Sequence, residues 1–295
     1  MAPLRVSVVM LAGSLRPSEL QAAVGQPAVC LPVAPGETVL GRWCRRFGSL
    51  PGFAGGLVAV STEPERAAVE AVRPADCPLS VVADPRPWRG MAGLLRDVRS
   101  HLPACDVVLV VEAGTLPPED LGPLLTAIEP GHTALAVGTD ASGQAAGAYA
   151  LEFGLLDRIQ DVGYRDLKEQ LLPELHADGV AARPVVLGPS VIRLRRREGY
   201  LRAVAAAMNA AAETGVSQRE PRADGDADGV RWVRSLVSPG ARVSEKAVLA
   251  DAVVLDGASV ADDAIVSRAV IGPGARVEAG ERVVDRILTA TPPST

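Results

Sequence analysis

The sequence predicts a three-layer α/β domain followed by a short left-handed parallel β-helix, and three patterns predict it. Over roughly the first two hundred residues, short β-rich runs alternate with segments whose apolar residues recur at helical spacing, as in a sheet covered by helices. From Ser217 to Gly229, "SQREPRADGDADG" holds almost nothing apolar and reads as a linker or loop. Beyond it, aliphatic residues recur every six positions, the repeat of a coil built from short strands. The divisions are therefore 1–215 for the α/β domain, 216–230 for the linker and 231–290 for the β-helix.

Within the α/β part, "LRVSVVML", "GLVAVS", "LSVVA", "DVVLVVEA" and "TALAVG" are the expected strands. Between them, "TVLGRWCRRF", "PERAAVEAV", "MAGLLRDVRSHL" and "PEDLGPLLTAI" have helical spacing, two of them preceded by Pro or Thr suited to a helix start. Farther on, "YRDLKEQLLPEL" and "EGYLRAVAAAMNAAAE" read as helices. In the repeat, Val237, Val243, Leu249 and Leu255 fall six apart, with Ala241, Ala247, Val253 and Ser259 four places after each. Ile265, Ile271, Val277 and Val283 resume the period after a phase shift, and about three coils fit.

Composition narrows the function. A chain of 295 residues with 48% hydrophobic content can bury a full-sized core. Its net charge of -5 argues against a general attraction to nucleic acid or anionic membranes. Cys30, Cys44, Cys77 and Cys105 form no Cys-x-x-Cys pair and only three histidines exist, so zinc has little material and the cysteines read as buried thiols in a reducing compartment. The Val6 to Ala12 run is too short for a secretory segment, no run is long enough for a membrane span, and a cytoplasmic location is expected.

A strand running into a glycine loop lets backbone amides approach a phosphate, and "VVMLAGS" has that form; alone, a tight turn explains it as well. Four segments taken together add a resemblance. "VVMLAGSLRP" with "QPAVCLPVAPGETVLGRW", then "GMAGLLRDVRSHLPACDVVLVVEAGTL", then "GAYALEFGLLDRIQDVGYRDLKEQLLPELHADGVAARPV", then "EGYLRAV", resemble in order the sugar-1-phosphate nucleotidylyltransferases, the family that includes mannose-1-phosphate guanylyltransferases. Several members also carry a C-terminal hexapeptide β-helix. The resemblance implies a Rossmann-like domain with a mixed sheet, and a reaction joining a sugar 1-phosphate to a nucleoside triphosphate with release of pyrophosphate. Such an in-line displacement needs a phosphate cradle, a cation at the reacting phosphates and carboxylates for Mg2+.

Against that pattern the chain reads as a degenerate member. The resemblance implies nucleotide contacts at Leu11, Ala12, Gly13, Ser14 and Arg16, but the family's further glycines and Thr-Arg are compressed away, and Arg16 also reads as a solvated loop residue. The family's cradle lysine falls at Gln26, which carries no charge; Lys168 and Lys246, the chain's two lysines, lie away from the expected site. The two metal carboxylates fall at Gly114, or Ala113 if the register slips, and at Arg193, leaving Glu112 as the candidate metal ligand if the end of its strand is irregular. The sugar-binding Glu-Lys-Pro segment is crossed directly by "TALAVGTDASGQAAGAYAL". Gly90, Ala92 and Gly93 match the family's base-side loop, though small residues there also serve close packing.

The resemblance thus implies a nucleotide or sugar-nucleotide ligand, Mg2+ only if the protein turns over, and a homo-oligomer or an active paralogue as partner through the β-helix. The expected function is a catalytically impaired binding or regulatory homologue; the rivals are an enzyme with a rearranged site built on Glu112, Arg16 and Arg193, and a purely structural role. Arg193 to Arg197 read as a solvated charge run, and Asp166 with Glu169 as a helix N-terminal pair. His101, His132 and His176 all precede the repeat, which gives no material for a histidine-dependent acyltransferase there.

Overall fold

The structure is a computed structural model that describes residues 4–13, 16–129, 132–213 and 232–290. Ser14 and the expected linker 216–230 lie outside the described residues. Two compact units form, one from Met1–Arg16 and Val39–Val191, the other from Pro17–Thr38 and Ile192–Thr295.

In chain order, β1 (Val6–Leu11) is followed by α1 (Glu19–Val24), a small hairpin of β2 (Pro32–Ala34) and β3 (Glu37–Thr38), and α2 (Val39–Gly48). Then come β4 (Phe53–Val60), α3 (Glu63–Val72), β5 (Leu79–Ala83), α4 (Gly90–Val98), β6 (Val107–Glu112) and α5 (Gly122–Thr126). β7 (Leu135–Thr139), β8 (Ala145–Glu152), α6 (Leu172–Ala177), β9 (Ala182–Val186) and α7 (Arg197–Glu213) complete the part before the repeat.

The first unit is built on a seven-stranded mixed sheet of order β5-β4-β1-β6-β8-β7-β9. β1 lies parallel to both β4 and β6, whereas β8 runs antiparallel to β6 and β7. Val9, Leu11, Leu57, Ala59, Val108, Val110 and Tyr149 form one face of the sheet and pack with Leu94, Leu95 and Val98 of α4. The alternate residues Val8, Met10, Val58, Val60, Leu109 and Val111 are also buried, so both faces are covered and the strands read as continuous apolar runs.

Local chemistry sets the helix limits. Thr62 caps α3 by accepting from the Glu65 amide, with Pro64 in the first turn. The helix expected across 118–128 is only α5, because Asp120 accepts from the Gly122 amide and Pro123 sits where a helix starts. The expected helix 164–175 divides into a π-helical turn, Leu167–Leu171, and α6, which begins beside Pro173. Asp166 caps that turn, accepting from the Lys168 and Glu169 amides, as its N-terminal reading requires.

Cys44 and Cys77 form a disulfide, their Cα atoms 5.7 Å apart, which corrects the reading of four thiols; Cys30 and Cys105 are buried and lie outside it. Sequence spacing cannot show that α2 and the loop after α3 bring those two β-carbons together.

In the second unit, α7 packs against β2, with the buried Tyr200 hydroxyl donating to the Pro32 carbonyl at 2.7 Å. The hexapeptide region is a parallel β-helix with three strand stacks. Trp232–Val233, Val248–Ala250, Ile265–Ser267 and Arg282–Val284 form the first. Leu236–Val237, Val253–Val254, Val270–Ile271 and Ile287–Leu288 form the second, and Arg242–Val243, Ser259–Val260 and Arg276–Val277 the third.

Each coil takes 17 residues, Trp232 pairing with Leu249, Leu249 with Val266 and Val266 with Val283. The interior aliphatics are Leu249, Val254, Val260, Val266, Ile271, Val277 and Val283, so Val254 and Val266 take the inward places expected for Leu255 and Ile265. The interior small residues are Ala247, Ala252, Ala258, Ala264, Ala269 and Ala275, two places before each of the first six aliphatics, rather than Val253 and Ser259. The cause is one short side per coil: successive interior alanines lie five residues apart across Asp251 and Arg268 and six apart across the other two corners.

Candidate functional site

The carboxyl ends of β1 and β6 lie side by side, Leu11 in register with Glu112. Because the chain builds outward from β1 to β4 on one side and to β6 on the other, this is the sheet's topological switch point, where open α/β sheets bind ligands.

Beyond β1, the expected cradle is closed onto β4. The Ala12 and Gly13 amides both donate to the Ala59 carbonyl, at 2.8 and 3.0 Å, so they prolong the sheet ladder. A β-carbon on Gly13 would stand 2.3 Å from the Ser61 amide nitrogen and 2.7 Å from the Val60 carbonyl carbon. Gly13 is therefore required by the close approach of two backbones. Leu11 is buried and Arg16 exposed.

At the end of β6, Thr115 Oγ1 donates to the Glu112 carbonyl at 2.8 Å and closes a turn over Gly114. The Thr115 carbonyl in turn accepts from the buried Trp43 indole at 3.1 Å. A side chain on Gly114 would meet nothing within 4 Å, so packing does not require glycine there.

Glu112 itself is largely buried, its side chain 14% exposed. Its Oε1 lies 2.6 Å from Lys168 Nζ and 3.4 Å from the Tyr149 hydroxyl, which donates to it. Gly147, with φ of 72°, makes room for it: a β-carbon there would come within 3.1 Å of the Glu112 side chain. Lys168 thus sits at the switch point, a correction to the expectation that both lysines lie far off; the π-helical turn after Asp166 carries it there. The available signal was its rarity, one of two lysines among 30 basic residues.

The donors present do not fit a divalent metal. Glu112 already bears an ammonium group, Gly114 has no side chain and Arg193 offers only a guanidinium. Among the described residues, no group of three or more His, Cys, Asp or Glu is arranged to hold a metal ion.

Gly90, Ala92 and Gly93 lie against the segment before Lys168. The Ala92 and Gly93 amides donate to the Arg165 carbonyl at 3.1 and 3.4 Å, and the Arg165 amide donates back to Arg89 at 2.7 Å. Gly90 has φ of 76°, and a β-carbon there would be 2.5 Å from the Arg165 oxygen. Arg89, buried, fixes this contact by pairing with the buried carboxylate of Asp97 and donating to the Gln160 carbonyl. Trp88 and Tyr164, from the two clamped segments, stay exposed. Sequence reasoning missed this ion pair because Arg89 and Asp97 become partners only through the turn before α4.

Gln26 and Arg193 belong to the second unit. Gln26 is half-buried just after Gly25, whose left-handed conformation ends α1; Ser18 caps the start of that helix. Arg193 is half-buried, and its carbonyl lies where a β-carbon on Gly199 would come within 1.9 Å. Of the charge run, Arg195 and Arg196 are exposed as expected, while Arg197 is mostly buried beside Glu198 and Asp285.

Compared with known families, residues 227–286 match the one described as "GlmU-like, C-terminal hexapeptide". The chain thus carries a hexapeptide β-helix of the type that ends a GlmU-like protein. No curated protein matches the chain. Among the described residues, no helix is long and apolar enough to cross a membrane.

Proposed function

We propose that this chain is a degenerate nucleotidyltransferase-like protein, related to the sugar-1-phosphate nucleotidylyltransferases, that binds a nucleotide or sugar nucleotide and acts as a regulatory homologue without efficient turnover. The observation that carries the reading is the closed cradle: Ala12 and Gly13 donate to Ala59, so neither amide is turned to a phosphate. The Lys168 ammonium on Glu112 supports it, since a carboxylate already neutralised is a poor metal ligand. The α/β sheet with its switch point and the GlmU-like repeat support the kinship. Trp88 and Tyr164 supply flat faces suited to a base.

On this reading residues 1–215 bind the ligand, 216–230 link and 231–290 serve assembly, with a second copy or an active paralogue as partner in the cytoplasm. The test is nucleotide binding by calorimetry with and without magnesium, beside a pyrophosphate-exchange assay over several nucleotides and sugar phosphates. Binding with little dependence on magnesium and negligible exchange is expected. Robust exchange lost in Glu112→Ala would instead establish the rearranged enzyme, a reading favoured by the Lys168, Glu112 and Tyr149 cluster at the switch point. No affinity for any nucleotide would leave only the structural role.

A further inference from the structure

We propose that the outer face of the third strand stack is a binding site for a phosphate-type anion, held between Arg242 and Arg276 over Ser259. The parallel register sets these three residues in one column, Arg242 beside Ser259 and Ser259 beside Arg276. With coils spaced about 4.8 Å apart, the two arginines leave the backbone about 10 Å from one another. Each side chain is long enough to bring its guanidinium toward the small serine between them. Their column forms part of the wall of a groove of about 330 Å³.

The contrast with the corner of the same coils points to a ligand. At that corner the 17-residue repeat alternates charge, and each arginine binds an aspartate one coil along. Arg234 holds Asp251 through two bonds of 2.6 and 2.7 Å, and Arg268 holds Asp285 through two of 2.8 and 2.6 Å. In the groove column the same repeat places two like charges about a serine. Among the described residues neither Arg242 nor Arg276 has a carboxylate within ion-pair distance. Glu278, the one acidic residue lining the groove, stands in the neighbouring column with Ala261 and Ser244 and pairs with neither arginine.

Two guanidiniums swung over one hydroxyl from either side would make a bidentate receptor for tetrahedral oxyanions, because their planar forks match phosphate oxygens and Ser259 adds a donor. An anion there relieves the repulsion that the column otherwise carries. The site lies wholly on the β-helix and does not depend on the nucleotide reading of the α/β unit. A small phosphomonoester and a phosphorylated side chain of another protein share this chemistry.

The test is titration of the full-length protein with inorganic phosphate, a sugar 1-phosphate and a phosphoserine peptide, followed by calorimetry at low and moderate salt. Arg242→Gln and Arg276→Gln are compared with Arg282→Gln, an arginine on the first stack. Phosphate affinity should fall at least about tenfold in each groove variant and stay unchanged in Arg282→Gln. The sugar phosphate against the peptide identifies the source. Absence of phosphate binding at millimolar concentration, or an equal loss in all three variants, would overturn the site. Circular dichroism and melting of the variants confirm that the coil is intact, so a loss of binding reports the arginines alone.

Discussion

Gly13 and Gly114 occupy neighbouring loops at the switch point, yet they answer to different demands. A methyl group on Gly13 meets the backbone of Val60 and Ser61, which cannot give way as a flexible side chain can. Gly13→Ala should therefore cost about 1–3 kcal/mol in denaturant unfolding. Gly114→Asp enters open space and should change stability by no more than about 0.5 kcal/mol. If both substitutions were equally tolerated, the contact between the two backbones would be wrong. Lys168 provides a second test at this scale. Lys168→Met leaves the Glu112 carboxylate largely buried with, among the described residues, only the Tyr149 hydroxyl, a loss of about 1–2 kcal/mol after allowing for the 41% exposure of Lys168. Glu112→Gln in the same chain should recover part of it, measured as a double-mutant cycle.

The elements themselves were largely legible in the sequence, and the site was not. β1, β4, β5, β6 and β7 fall where apolar runs predict them; β1, β4 and β6 are buried on both faces and need nothing but such a run, whereas β7 and the edge strand β5 are only partly buried. What stayed hidden depends on which residues the fold brings together: Lys168 on Glu112, Arg89 on Asp97 and Cys44 on Cys77 are all remote in sequence or direction. The disulfide joins α2 to the loop beyond α3 across 33 residues. In the loop-entropy account its removal should lower stability by about 3–4 kcal/mol, read by comparing oxidised and reduced protein, with Cys44→Ser matching the reduced form. Equal stability in both forms would mean that the bond does not constrain the chain.

The β-helix is stabilised at the level of whole coils. Hydrogen bonds from Arg234 and Arg268 hold the Asp251 and Asp285 carboxyls below the ordinary carboxylate range. For carboxyls depressed in the folded state, the stabilisation is complete above the unfolded value near about 4 and is lost as pH falls through the folded values. Melting of the protein should accordingly fall in acid below about pH 4, with a shallower acid slope in Asp251→Asn/Asp285→Asn, which already melts lower at neutral pH. A slope unchanged by the double substitution would remove the ladder from the account. The repeat makes a sharper demand. Since equivalent positions recur every 17 residues, one coil can be excised only as a unit of that length. Deleting residues 252–268 places Ala269 where Ala252 stood and Val270 where Val253 stood, so the interior column of alanines and aliphatics is restored. Deleting 252–269, one residue more, turns every following aliphatic outward and opposes the strand alternation that fills the coil. The shorter deletion should retain a cooperative β-sheet melt, lowered because Asp251 then stacks on Asp285 in place of Arg268. The longer deletion should abolish that transition, and the same melting curve for both would show that the coil length is not fixed at 17.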